Sequence, residues 1–394
     1  MKLHYNHTRY ACYLGYITQA IVNNLAPLLF VTFQDQFSVS LEKIGLLISF
    51  NFGIQMIVDI LAAKFVDKIG YRICTVAAHI CCTAGLIGMG VFPFLFADPF
   101  IGLLTAVFIN ALGGGMIEVV ISPIVESLPG DEKASAMSLL HSFYCWGHVG
   151  VVILSTLFFV TAGVSNWYIL TAVWALLPLF NTFFFAKVPL NTSHMEEAPM
   201  PLRKLFSMKL FWIFLLLMIC SGASEQAMSQ WASLFAERGL GVSKLLGDLL
   251  GPCAFAVLMG ASRVFYGKFG ARINLKHFIM CSAILCILSY LLATLSPWPL
   301  LSLAGCALCG LSVGIMWPGS FSLSCEYCPQ AGTAMFALLA LGGDIGCAAG
   351  PGLVGAVSNA AGDSLKIGLL FAIIFPVLMF LTVMGLKRMK RSAA

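Results

Sequence analysis

Twelve apolar stretches, each long enough to cross a bilayer as a helix, follow one another along the chain with only short gaps between them. A membrane-spanning helix needs about 20 such residues, so the spans consume most of the 394 residues and leave no room for a soluble domain. Helices are expected near 10–34, 44–66, 73–96, 100–127, 134–160, 165–186, 209–235, 246–267, 274–295, 299–325, 332–358 and 365–386. Composition agrees: 60% of residues are hydrophobic and only 10% charged, against about 25% charged in soluble domains. A surface so poor in charge excludes a soluble enzyme, a nucleic-acid binder and a disordered chain. The first apolar run is too long for the apolar region of a cleaved signal and lacks a small-residue cleavage site, so it reads as a membrane helix. The 14 Cys are scattered through apolar stretches and read as small apolar residues. The pair Cys325 and Cys328 has no second pair or His to complete a metal site.

With twelve spans both termini lie on one side. Placing them inside leaves Lys43, Arg238, Lys244 and Lys366 outside, four of the 22 basic residues, so both termini are expected in the cytoplasm. The sequons at Asn6 and Asn191 then face the cytoplasm and go unused.

The chain repeats at an offset of about 200 residues. Lys68-Ile69-Gly70-Tyr71-Arg72 aligns with Lys268-Phe269-Gly270-Ala271-Arg272, Glu126 and Pro129 with Glu326 and Pro329, and Gly150 with Gly350. One constant shift across separated segments indicates two six-helix halves related by an axis along the membrane normal. The expected organisation is an all-α membrane protein: an N-terminal half over 1–186, a cytoplasmic linker over 187–208 and a C-terminal half over 209–394.

Between the second and third helices stands Ala63-Lys64-Phe65-Val66-Asp67-Lys68-Ile69-Gly70-Tyr71-Arg72, and the eleventh helix carries Gly346-Cys347-Ala348-Ala349-Gly350-Pro351. On these motifs and the repeat, the whole chain resembles the major facilitator superfamily, with Ala63 where the loop signature usually has Gly. Within it the chain is similar to the fucose–galactose–glucose symporter branch through Asn23-Asn24-Leu25, Gly113-Gly114-Gly115-Met116-Ile117-Glu118-Val119-Val120-Ile121-Ser122-Pro123 and Gly342-Gly343-Asp344-Ile345-Gly346. Ser122 replaces that branch's Asn, and its first-helix carboxylate falls on Pro27, so a proton mechanism using that acid does not carry over.

A charge at the centre of a membrane helix costs about 2.5–3.5 kcal/mol on insertion scales, so embedded charges need a reason. They are Asp59, Glu118, Glu225, Asp344 and the single cation Arg263, while Glu126 and Glu326 sit near helix ends. Glu118 heads the group, with Ser122 one turn on, about 40° around the helix; its plainer reading is a carboxyl hydrogen-bonded to a neighbouring helix. His141, with Tyr144 and His148 near one face of the fifth helix, is the second candidate for proton coupling, while His79 reads as structural. Substrate-binding candidates are Gln19, Asn23, Asn24, Asn110, Glu118, Ser122, His141, Tyr144, Glu225, Gln226, Gln230, Trp231 and Trp317, because amides and an indole suit a polyhydroxylated ligand. Trp146 is a further stacking candidate. Asn51, Gln55 and Asp59 form a polar stripe that lines the cavity or faces the other half. Asp67, Lys68, Gly70 and Arg72 read as a cytoplasmic conformational latch. Arg263 and Asp344 join that latch, with Asp344 or Glu326 as the expected partner of Arg263.

The resulting expectation is a secondary transporter working by alternating access on a sugar or similar small polar solute, as a monomer in the cell membrane. Protons are the expected coupling ion and Na⁺ the alternative; no other cofactor and no nucleic acid is involved. The rival readings are a proton-driven exporter of amphipathic compounds, with the 31 Phe and 17 Met lining its pocket, and a nutrient sensor that no longer transports. No nucleophile–base pair or metal-ligand cluster supports an enzyme.

Overall fold

A computed structural model of the chain describes residues 3–129, 133–190, 202–328 and 332–392. Most of the expected linker, the sequon at Asn191 and Pro329 lie outside the described residues, as do the side chains of Asp67 and Glu126. Among the described residues every regular element is helical. Twelve helices are long and apolar enough to cross a membrane: α1 (Tyr5–Phe37), α2 (Leu41–Ala62), α3 (Tyr71–Leu95), α4 (Pro99–Val125), α5 (Leu139–Ala162), α6 (Val164–Lys187), α7 (Lys209–Gly239), α8 (Lys244–Tyr266), α9 (Leu275–Leu295), α10 (Pro299–Ser324), α11 (Leu338–Ala360) and α12 (Leu365–Leu386). Backbone polar groups cannot be satisfied by lipid, which is why an all-helical chain is the solution for such a sequence. Large apolar side chains such as Leu154, Leu157, Phe180, Phe183 and Leu295 stay exposed, as a lipid-facing surface requires.

Several spans are not the continuous rods the periodicity predicts. The first is α-helical over Tyr5–Asn24, tightens to a 3-10 turn at Ala26–Leu29 and resumes at Phe30–Phe37. Pro27 lies in that turn, where its missing N–H and its ring do least harm. About 200 residues on, α7 breaks at the equivalent place: its helix ends at Ser229 and the chain continues through Ala232–Leu234 into a wide π turn at Phe235–Gly239. A similar wide turn at Leu249–Cys253 accommodates Pro252 in α8. The helix of α10 stops at Val313 and restarts at Met316. Its repeat mate α4 runs unbroken through Gly114 and Gly115.

The chain forms two compact units, Met1–Ser40 with Phe50–Glu196, and Leu41–Ser49 with Glu197–Ala394. In the first, α4 packs closely on α3, since a Cβ at Gly113 would collide with the Ala78 carbonyl and Cys82. Small residues at such crossings are how membrane helices approach. In the second, α7 and α11 meet through Gly222, Gly346 and Gly350, against the backbones of Gly343, Ile219 and Ala223. The start of α2 belongs to this unit, where the Ser49 hydroxyl donates to the Ala348 carbonyl at 2.8 Å.

Candidate functional site

Each unit holds its own polar cluster. In the first unit α1 presents Tyr16, Gln19, Asn23 and Asn24 at near-helical spacing toward α2, α4 and α5. Gln19 donates from Nε2 to Glu118 Oε2 at 2.7 Å. One turn away the hydroxyls of Tyr16 and Ser122 share a hydrogen bond of 2.9 Å, and the Tyr16 ring stands edge-on to His141 with centroids 5.1 Å apart. Asn24 donates to Tyr144 Oη at 3.3 Å and to the Ala20 carbonyl at 2.9 Å. The close approach of α5 to α1 is permitted by Gly147, whose added Cβ would lie 3.0 Å from Ile17 Cα and Ala20 Cβ. Thus Gln19, Asn24, Glu118, Ser122, His141 and Tyr144 are brought into one seam.

Other expected positions are placed differently. Asn23 Oδ1 accepts from Asn51 at 3.2 Å and from Gln55 at 3.1 Å. Two members of the expected stripe are therefore engaged by α1 within their own unit, and Asp59 beside them is half-buried. Asn110 is 1% exposed on the face of α4 turned toward Gly85 of α3. Trp146 is 47% exposed, in line with exposed Leu139, Ile153 and Val160 on α5, and does not join the seam. His148 is buried. His79 makes ring-nitrogen hydrogen bonds with the Thr75 carbonyl at 2.7 Å and Asn181 at 2.9 Å, a structural placement.

At the end of the helix carrying α2, Lys68 is exposed and Gly70 takes φ +94°, where a side chain would be strained. Arg72 donates to the carbonyls of Phe185, Ala186 and Val188 at 2.9, 2.8 and 2.9 Å, so it caps the end of α6 within its own unit. Asp67, expected beside it in the latch, has a side chain outside the described ones.

In the second unit the cluster is charged. Arg263 Nη2 lies 3.6 Å from Glu225 Oε2, an acid that helical position did not single out as its partner. Arg263 Nε also donates to the Gly314 carbonyl at 3.2 Å, at the break in α10. Gln226 donates to Glu225 at 3.2 Å and Gln230 to Gln226 at 3.0 Å. Half-buried Trp317 lies with its ring against Gly343, next to buried Asp344. Trp231, expected to stack on a ligand, is fully buried and donates from Nε1 to the Pro351 carbonyl at 3.1 Å. It therefore packs α7 on α11.

One group escaped sequence reasoning. Lys244 bridges Glu237 at 3.1 Å and Asp248 at 3.2 Å, and the Ser233 hydroxyl bonds the other Asp248 oxygen. Asp248 is 0% exposed. The signal was the Lys244–Asp248 spacing of one helical turn, obscured because the helix was expected to begin at 246. Among the described residues no group of three or more His, Cys, Asp or Glu is arranged to hold a metal. Past the end of α10, burial pushes the Cys328 thiol above its ordinary value.

Twelve spans in two units, each with ionisable groups inside its helices, are an organisation that suits a membrane transporter. The Major Facilitator Superfamily model matches residues 12–351, with a second match over 252–393, and the chain belongs to that superfamily. Among solved structures it is similar to a D-xylose-proton symporter (TM-score 0.79, 12% identity, 97% of each chain covered). It is also similar to a bacterial homolog of the human lysosomal transporter Spinster in an inward-facing, occupied conformation (TM-score 0.76, 16% identity, 98% of each chain). The E. coli fucose:proton symporter is a further likeness (TM-score 0.67, 16% identity, 96% of this chain and 98% of that one). At these identities the likeness is one of fold. No curated protein sequence matches the chain. The chain is a transporter and not an enzyme.

Proposed function

We propose that this transporter carries a small polyhydroxylated solute, a sugar or a close relative, by alternating access coupled to protons through Glu118. The observation that carries the reading is the 2.7 Å bond from Gln19 to Glu118 inside the membrane. An amide can donate to a carboxylate and, more weakly, to the carbonyl oxygen of a protonated acid, so this contact has an acceptor in both states of Glu118. The Tyr16–Ser122 hydroxyl pair and His141 supply donors and acceptors one turn away, which suits a group that takes up and gives back a proton. Gln226, Gln230 and Trp317 offer the second half's amides and ring to a polyol. Two of the similar structures are named as symporters of sugars with protons, which supports the same reading. The polar seams favour it over an exporter of amphipathic compounds, and intact carboxylates on both halves favour it over a sensor. The chain then works as a monomer in the cell membrane with both termini cytoplasmic.

Proteoliposomes loaded with a pH-sensitive dye test it. Adding the sugar outside should acidify the lumen, and Glu118→Gln should abolish that signal while sugar–sugar exchange continues. Accumulation against a gradient by Glu118→Gln would show that Glu118 is not the coupling group.

A further inference from the structure

The second unit keeps a charge pair inside its helices that coupling at Glu118 does not use. Arg263 on α8 and Glu225 on α7 stand 3.6 Å apart, with 16% and 8% of their side chains exposed. A close charge-assisted N–H···O⁻ bond spans about 2.7–2.9 Å, so charge draws the pair together without closing it. Each partner has a second holder in its own unit. Gln226 donates to Glu225 at 3.2 Å, and the Gly314 carbonyl, freed where α10 leaves the helix, accepts from Arg263 at 3.2 Å. Glu225 keeps a donor when the guanidinium turns away, and Arg263 keeps an anchor. Stability does not explain the pair, because apolar residues of similar volume commonly serve a protein interior as well or better. Intramembrane charges instead mark substrate and ion paths.

We propose that Arg263 binds a carboxylate on the transported solute, exchanging Glu225 for it, so that the chain selects acidic sugars and polyols over neutral ones. This rests on the polyhydroxylated solute proposed above and adds its acidic group. The planar guanidinium fork matches a carboxylate in two parallel hydrogen bonds, a geometry the ammonium of Lys cannot reproduce. Gln226 and Gln230 on α7 and Trp317 on α10 belong to the same unit and suit the hydroxylated remainder of such a molecule.

The test is equilibrium binding to the full-length purified chain by titration calorimetry, with D-gluconate, D-glucose and glucose 6-phosphate as probes. Gluconate should bind about 30-fold more tightly than glucose, the lower end of what one partner of a desolvated charge pair contributes. Arg263→Gln should erase that preference, Arg263→Lys should keep part of it, and Glu225→Gln, lacking the internal competitor, should bind gluconate more tightly than the parent. Should Arg263→Gln fail to fold, the Lys and Glu225→Gln variants carry the same comparison. Equal binding of gluconate and glucose, a preference that survives Arg263→Gln, or tighter binding of glucose 6-phosphate would each overturn the proposal. Proton-coupled uptake of glucose without preference for gluconate would sink this inference alone. Failure of all three probes to bind would sink it together with the polyhydroxylated-solute reading.

Discussion

Gln19 on α1 donates its side-chain amide to Glu118 on α4 across 2.7 Å, with Gln19 itself only 4% exposed. The acid of the glycine-rich helix is therefore held in part by the first helix. A hydrogen bond to a charged acceptor contributes about 1.5–3 kcal/mol. Gln19→Leu, which keeps the bulk and removes the donor, should lower proton-coupled uptake about tenfold or more, read as initial rates in proteoliposomes. A rate equal to the parent's would show that Glu118 is held by other contacts.

Arg72 joins the start of α3 to the end of α6 through three backbone carbonyls. Carbonyls at a helix C-terminus lack helical partners, and a cation there also meets the negative end of the helix dipole. Arg72→Ala should cost about 2 kcal/mol of stability, discounted for the partial exposure of the site. Arg72→Lys should recover less than half of it, because one ammonium cannot reach three carbonyls in a fork. The unfolding midpoint in detergent reads both; an unchanged midpoint in Arg72→Ala would deny the capping role.

The spans were legible because lipid demands about 20 apolar residues per crossing and little else. The breaks were not: Pro27 and Gly314 are compatible with an unbroken membrane helix, and only packing decides where the backbone opens. Glu118 and Ser122 could be paired by helical spacing alone, yet their partners Gln19 and Tyr16 come from α1, 99 and 106 residues earlier. Arg263 illustrates the same limit. A long side chain reaches several neighbouring helices, so its one-dimensional position does not separate Glu225 from Asp344 or Glu326. Trp231 and Asn110 carry polar atoms suited to a ligand, but one is spent on the Pro351 carbonyl and the other lies against Gly85.

The internal repeat also overstates likeness. Gly150 and Gly350 align at the common offset, but a Cβ at Gly350 would press on the Ala223 backbone, whereas one at Gly150 meets nothing within 4 Å. Gly350→Ala should therefore destabilise by about 1–3 kcal/mol, the usual range for overpacking. Gly150→Ala should stabilise by about 0.5–1 kcal/mol through helix propensity. Opposite shifts of the two unfolding midpoints are expected; shifts of the same sign would contradict these packing assignments.

Trp231 separates a structural role from a recognition role. Its ring is fully buried, its N–H is used on the Pro351 carbonyl at 3.1 Å, and its far edge lies near Gly45 and Gly355. Trp231→Phe keeps an aromatic ring in place but leaves that carbonyl without its donor, at a cost of about 1–3 kcal/mol for a buried group. The unfolding midpoint should fall while the KM for solute stays within about twofold. Trp317→Phe should do the reverse, raising KM with a smaller loss of stability, because its indole is only half-buried and lies against Gly343. If Trp231→Phe raised KM more than Trp317→Phe, the ring on α7 would be the one that meets the solute, and the break at Gln230 and Trp231 would have to open to expose it.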